Sequence, residues 1–217
     1  NHYPTQFPVS IRDKPGYKAV CLYSEKDIIM ALENGIAQLV AEFIAAGRPS
    51  SREQNIDDRR KGYIASTALA GEKEIRVKSE DIVLEGMTFR VISPLNSTSS
   101  LPCILYFHGG CFVSGGFITH DNQLRQLAWH CGCRVIAVQY RLAPEHTFPA
   151  AHDDAERGAN LVYKYAQQLG IDRKHITLAG DSAGGHLALV TALRLKANAA
   201  WTPSKLMLIY PMLDATA

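Results

Sequence analysis

Polar and apolar positions along this chain change their rhythm three times. From Glu25 onward, Ile29, Leu32, Ile36, Leu39, Val40 and Phe43 recur at helical spacing, and Gly47 followed by Pro49 ends the run. Ser51-x-x-Gln54 has the form of a capping box and opens a second helix over 57–69, closed near Gly71. Ahead of both, residues 1–24 carry Pro4, Pro8 and Pro15 with no clear period and read as an extended arm. Two amphipathic helices that precede any strand cannot bury their apolar faces alone, so they are expected to lie on something downstream.

Over 73–93 the period shortens to two: Ile75 and Val77, then Ile82, Leu84, Met87, Phe89 and Val91. That alternation predicts a pair of half-buried antiparallel strands. A polar turn at 96–100 follows. From there the apolar stretches become continuous, as in strands covered on both faces: 103–107, 135–138, 176–179 and 206–210. Helical runs separate them, over about 120–131, from Pro149 to about 169 with Gly170 as the stop, and from the 180s to about 197. Strands alternating with helices predict a mostly parallel sheet with right-handed crossovers.

Composition narrows the function classes. At 217 residues, 47% hydrophobic and 20% charged, the chain supports one sizeable core and perhaps a small appendage. A net charge of +2 without a run of lysines or arginines gives no reason to expect nucleic acid or an anionic membrane as partner. The polar, proline-rich start has no apolar signal region, and no stretch reaches the length of a membrane span, so the chain reads as cytoplasmic. The five cysteines are odd in number and irregularly spaced, and Cys131-x-Cys133 lacks a zinc-ligand spacing. They read as reduced, partly buried thiols, and no metal or cofactor is expected.

One stretch carries chemistry. Ile176 and Leu178 lead into Gly180-x-Ser182-x-Gly184, and a helical run follows from His186. A strand that turns sharply into a helix around a serine is a nucleophile elbow, in which small neighbours let the backbone bend enough to lift Oγ out of the turn. The N–H of Ala183 then faces the place where an oxyanion would develop, and the positive end of the helix points at the same spot. Further donors are available in His108-Gly109-Gly110-Cys111-Phe112, which follows a buried strand. Glycines suit that turn because side chains would block an approaching carbonyl.

His108-Gly109-Gly110, Tyr140-Arg141-Leu142-Ala143-Pro144-Glu145, Phe148-Pro149-Ala150-Ala151 and Gly180-Asp181-Ser182-Ala183-Gly184-Gly185 together resemble the hormone-sensitive-lipase family of α/β-hydrolases, and within it the bacterial acetyl esterases. The resemblance spans essentially the whole chain. It implies an α/β-hydrolase fold, a mostly parallel central sheet with helices on both faces, over 73–217, and an N-terminal arm and helical cap over 1–72. It implies Ser182 as nucleophile, within a motif supported by His108, Gly180, Asp181 and Gly184. The oxyanion hole it implies draws on Gly109, Gly110, Cys111 and Ala183, with the N–H groups of Gly110, Cys111 and Ala183 facing the charge while Gly109 and His108 shape the turn. A third glycine usually stands where this chain has Cys111, whose N–H can still donate but whose side chain must find room. The implied function is a serine carboxylesterase acting on small short-chain, acetyl-like esters. A non-catalytic small-ligand-binding protein or inactive fragment on the same scaffold, and an amide deacetylase, are the alternatives.

Other polar residues have structural readings. His186 lies one helical turn beyond Ser182 and is expected to be structural, as is Asp181. Arg141 and Glu145 are expected to brace their loop, while His120 and Asp121 either line the pocket mouth or cap a helix. After Ser182 only His186 and Asp214 could join a triad, and no histidine follows Asp214. The triad Asp and His are therefore expected beyond residue 217, the chain holding the first six strands of its core. The strand at 206–210 would otherwise be an exposed apolar edge, so a second chain or further sequence is expected to complete the fold.

Overall fold

The computed structural model describes residues 34–47, 49, 53–95, 97 and 100–214. The predicted arm, the beginning of the first helical run, Ser51 and most of the turn at 96–100 lie outside the described residues. The chain divides into two compact units, the boundary falling after Pro49. The first unit contributes helix α1 (Asn34–Ala45).

The second unit opens with α2 (Ile56–Ala65), which continues as a 3-10 turn (Ser66–Ala70) and stops at Gly71 with φ 73°. Its cap is Asn55, whose side chain accepts the Asp58 N–H at 2.8 Å, rather than the box expected at Ser51. The expectation that this helix buries an apolar face is corrected as well, since none of its residues is fully buried. Polar bonds hold it instead. Arg60 donates to Val113 O and Ala143 O and forms a two-pronged pair with Glu145, while the Asn122 amide donates to Ala70 O and Glu72 O.

Among the described residues, six strands form one sheet: β1 (Val77–Leu84), β2 (Met87–Pro94), β3 (Leu101–Phe107), β4 (Arg134–Val138), β5 (Ile171–Asp181) and β6 (Lys205–Ile209), in the order β1-β2-β4-β3-β5-β6. The alternating segment makes the antiparallel β1–β2 hairpin. Its turn, Glu85-Gly86, has φ of 47° and 81°, the positive pair that a tight two-residue hairpin demands. Ile75 falls outside it and is exposed. Strand β2 runs antiparallel to β4; the β4–β3, β3–β5 and β5–β6 pairs are parallel.

Helices cover both faces, and side-chain parity along β3 shows it. Cys103, Leu105 and Phe107 join one core with Ala151, Ala155 and Val162 of α4 (Ala150–Lys164) and Leu187, Ala188 and Leu195 of α5 (Ala183–Ala197). Ile104 and Tyr106 join the other, with Phe117, Leu124 and Ala128 of α3 (Phe117–Cys131). Each large side chain fully buried in these layers contributes roughly 1.5–3 kcal/mol of transfer free energy.

The pairing of β3 with β5 sets the site. Phe107 stands opposite Gly180, so the two parallel strands end side by side and release the glycine turn and the serine elbow at the same edge of the sheet.

Candidate active site

Ser182 is the hinge between β5 and α5, with φ 52° and ψ −117°. A non-glycine residue in that region carries about 1–3 kcal/mol of strain, which persists only where the surroundings over-determine it. Here they do. Its N–H donates to Ile209 O of β6 at 2.9 Å, and its carbonyl accepts the N–H groups of His186 and Met212 at 3.1 and 3.2 Å. The flanking glycines are steric necessities: a Cβ on Gly184 would lie 1.9 Å from Phe107 O, and one on Gly180 would lie 2.4 Å from Gly184 main chain. Ser182 itself stays partly exposed, and its hydroxyl has no hydrogen-bond partner among the described residues.

Across from the elbow, Gly110 takes φ 123°, and Ser114 O fills the space that its Cβ would need. The Gly110 carbonyl accepts the N–H groups of Val113 and Ser114 and the Ser114 hydroxyl, which closes the turn. Cys111 and Phe112 follow with φ of 55° and 62°. That left-handed backbone is the physical reason a glycine is at home at 111, and the Cys111 side chain finds its room by facing solvent. Among the described residues, the N–H groups of Gly110, Cys111 and Ala183 meet no acceptor. Gly109 differs. Its N–H is taken by Asp181 Oδ1 at 3.0 Å, so its expected place in the donor set is corrected: that N–H already has an acceptor.

His108 lies under the turn, stacked on Tyr140 with ring centroids 4.2 Å apart. Its Nδ1–H donates to Gly109 O at 2.8 Å, and Tyr140 donates its hydroxyl to His108 O at 2.6 Å. Burial pushes the His108 imidazole down to about 4, so the ring is neutral at ordinary pH. The Asp181 carboxylate is buried too, which opposes its charge. Hydrogen bonds from His120, Tyr106 and the Gly109 N–H outweigh that penalty and hold it below the usual aspartate range.

A family model described as alpha/beta hydrolase fold matches residues 104–217, the segment that holds the turn, the elbow and β4 to β6. The chain belongs to the hormone-sensitive-lipase-like α/β-hydrolases. It is 34% identical over 189 residues to an ethyl acetate hydrolase of Pseudomonas putida, covering 81% of this chain and 59% of that protein. It is 48% identical over 95 residues to Esterase LipI of Mycobacterium tuberculosis, covering 44% of this chain and 30% of that one. Among solved structures, a hyperthermophilic esterase from the archaeon Pyrobaculum calidifontis superposes with a TM-score of 0.76 at 36% identity, covering 85% of this chain and 60% of that one. This chain thus spans less than two thirds of the length of each of these relatives.

Elsewhere in this α/β-hydrolase, the polar residues singled out by sequence take up scaffold contacts. Arg141 pairs with Asp154 through two nitrogens, and Glu145 receives Arg60. His186 donates its Nδ1–H to Met212 O at 2.9 Å and meets His152 Nε2 at 3.1 Å through Nε2. Of the two alternatives for His120 and Asp121, the helix cap is corrected. Helix α3 begins earlier, at Phe117, where the Thr119 hydroxyl accepts the Gly116 N–H. Asp121 joins Arg90, Arg125 and Lys73 in an ion network, and His120 is buried against Asp181. No spacing signal links His120 on α3 to Asp181 on β5; only the packing of α3 on the sheet brings them together.

Cys103 and Cys133 are free, buried thiols, the latter pushed up to about 12 by burial, while Cys111 and Cys131 are free and exposed. Among the described residues, no group of three or more His, Cys, Asp or Glu side chains is placed to hold a metal ion, and no helix is long and apolar enough to cross a membrane.

Proposed function

We propose that this chain carries the nucleophile and the oxyanion donors of a serine carboxylesterase that hydrolyses short-chain, acetyl-like esters. Ser182 Oγ attacks the ester carbonyl, and the alkoxide oxygen that develops is received by the N–H groups of Gly110, Cys111 and Ala183. The tetrahedral intermediate collapses with loss of the alcohol, and water then releases the acid from the acyl-serine. No described histidine hydrogen-bonds the Ser182 hydroxyl. The general base and its orienting acid are accordingly assigned to sequence beyond Ala217. Residues 1–72 are assigned to the cap, with α2 fastened to the oxyanion turn through Arg60 and Val113.

The observation that carries this reading is the strained, clamped Ser182 at the end of β5, set beside the turn that ends β3 and its unpartnered N–H groups. Backbone strain of this kind concentrates at active sites, which supports reading Ser182 as the reacting residue. The test is hydrolysis of p-nitrophenyl acetate, butyrate and octanoate by the full protein and its Ser182→Ala variant. The reading expects a preference for the shorter acyl groups and a loss of at least about four orders of magnitude in kcat on substitution. Undiminished turnover by Ser182→Ala would overturn it.

A further inference from the structure

We propose that His120 is a positioning residue that sets the oxyanion hole through Asp181, without touching substrate. The proposal rests on the esterase reading of Ser182. Its basis is a single carboxylate oxygen on which three elements converge. Asp181 Oδ1 accepts the Gly109 N–H of the turn after β3 at 3.0 Å and the Tyr106 hydroxyl of β3 at 2.9 Å, and His120 Nε2 of α3 lies 3.2 Å from the same oxygen. The His120 and Asp181 side chains are 3% and 5% exposed, so the pair is shielded from solvent.

The stereochemistry then runs outward to the donors. A Cβ on Gly109 would lie 2.2 Å from Asp181 Oδ2, so the turn is pressed directly onto the carboxylate. The peptide before Gly109 is fixed by Asp181, and the peptide after it by His108 Nδ1–H on Gly109 O. Because a trans peptide points its N–H opposite to its C=O, holding Gly109 O toward His108 aims the Gly110 N–H the other way. The direction of an oxyanion donor is thereby set by groups that never meet the substrate.

His120 keeps that carboxylate in place. Its Nε2 must carry a proton, because an ionised carboxylate only accepts. Its Nδ1 lies 2.8 Å from the Thr119 hydroxyl, and its ring packs edge-on against Tyr63 with centroids 6.0 Å apart. The ring is thus fixed from behind while it donates in front. Without that donor, a buried carboxylate loses a charge-assisted bond and is freer to turn or to take a proton, and Gly109 moves with it.

The experiment compares His120→Leu, His120→Gln and Ser182→Ala in the full protein. It reads kcat and KM for p-nitrophenyl acetate together with inhibition by a trifluoromethyl ketone, which forms a tetrahedral oxyanion adduct with a serine nucleophile. His120→Leu is expected to lower kcat by about 10- to 100-fold and to weaken the ketone by a similar factor, with KM within about twofold. His120→Gln, whose amide N–H reaches the place of Nε2, is expected to recover most of both losses. Wild-type kcat and ketone affinity in His120→Leu, or a Gln variant as damaged as the Leu variant, overturns the proposal. If His120→Leu does not fold, His120→Asn replaces it, because the shorter amide reaches Thr119 but not Asp181; equal activity of Asn and Gln variants overturns the proposal. The Ser182→Ala arm separates the two claims: activity retained there sinks the esterase reading, whereas an inactive Ser182→Ala beside fully active His120 variants sinks only the role of His120.

Discussion

Two buried histidines flank the Asp181 carboxylate in different ways. His120 directs Nε2 at it from 3.2 Å, whereas His108 is held neutral beneath the turn by burial. The consequence for His108 is a pH dependence of stability with a definite sign. Its ordinary value near 6.5 drops to about 4 in the fold, so between those values the unfolded chain takes up the proton first. The contribution is therefore fully present above about pH 6.5 and is lost as the pH falls toward 4, up to about 3 kcal/mol in all. His152, lowered by burial and by His186, acts in the same direction, so the measurement must be a difference. Urea unfolding at pH 7, 5.5 and 4.5 should show a steeper acid loss for wild type than for His108→Gln. Parallel losses would contradict the assignment. The serine, the glycines and the turn at 108–110 were all legible as sequence, because their spacing is local. The commitment of the Gly109 N–H and the partner of His120 were not, because both depend on Asp181, which lies 72 residues from Gly109 along the chain.

At the scale of elements, the decisive contact is that of the elbow with the end of β3. Gly184 sits in the first turn of α5 with main chain of Phe107 and His108 where a side chain would be. Replacement by alanine must push the helix off the strand, which is expected to cost about 3 kcal/mol or more and to reduce kcat far more than KM. Thermal unfolding together with steady-state kinetics checks both parts; a fold and rate unchanged in Gly184→Ala would mean that the close approach does not hold the site. Element types followed from the apolar rhythm, and their limits followed less well. Strand β5 begins at Ile171, five residues before the apolar run that announces it, because pairing with β3 through Leu101 extends it across polar positions. Helix α3 starts at Phe117 since Gly116 and Thr119 close its first turn, and α4 ends at Lys164 ahead of Gly170. The second helix was legible as a helix but not in its manner of attachment, since a guanidinium aimed at two carbonyls and a carboxylate leaves no apolar period.

Over the molecule as a whole, the fold works by delivering two strand ends to one place. A parallel β3–β5 pair in register, covered by α3 on one face and α4 with α5 on the other, places a bent serine beside open main-chain donors. Sequence showed the alternation of strands and helices and hence the sheet; the order in which the strands lie follows from pairing between residues far apart, which no local pattern encodes. The central claim is that Ser182 is the residue lifted out to react. It is tested most directly by treating the full protein with a fluorophosphonate, which esterifies an activated serine, and locating the adduct by peptide mass spectrometry. One equivalent on Ser182, with loss of hydrolysis in proportion and no labelling of Ser182→Ala, is the expected result. An adduct on another residue, or an active protein whose Ser182 stays unmodified while hydrolysis is blocked, would contradict it.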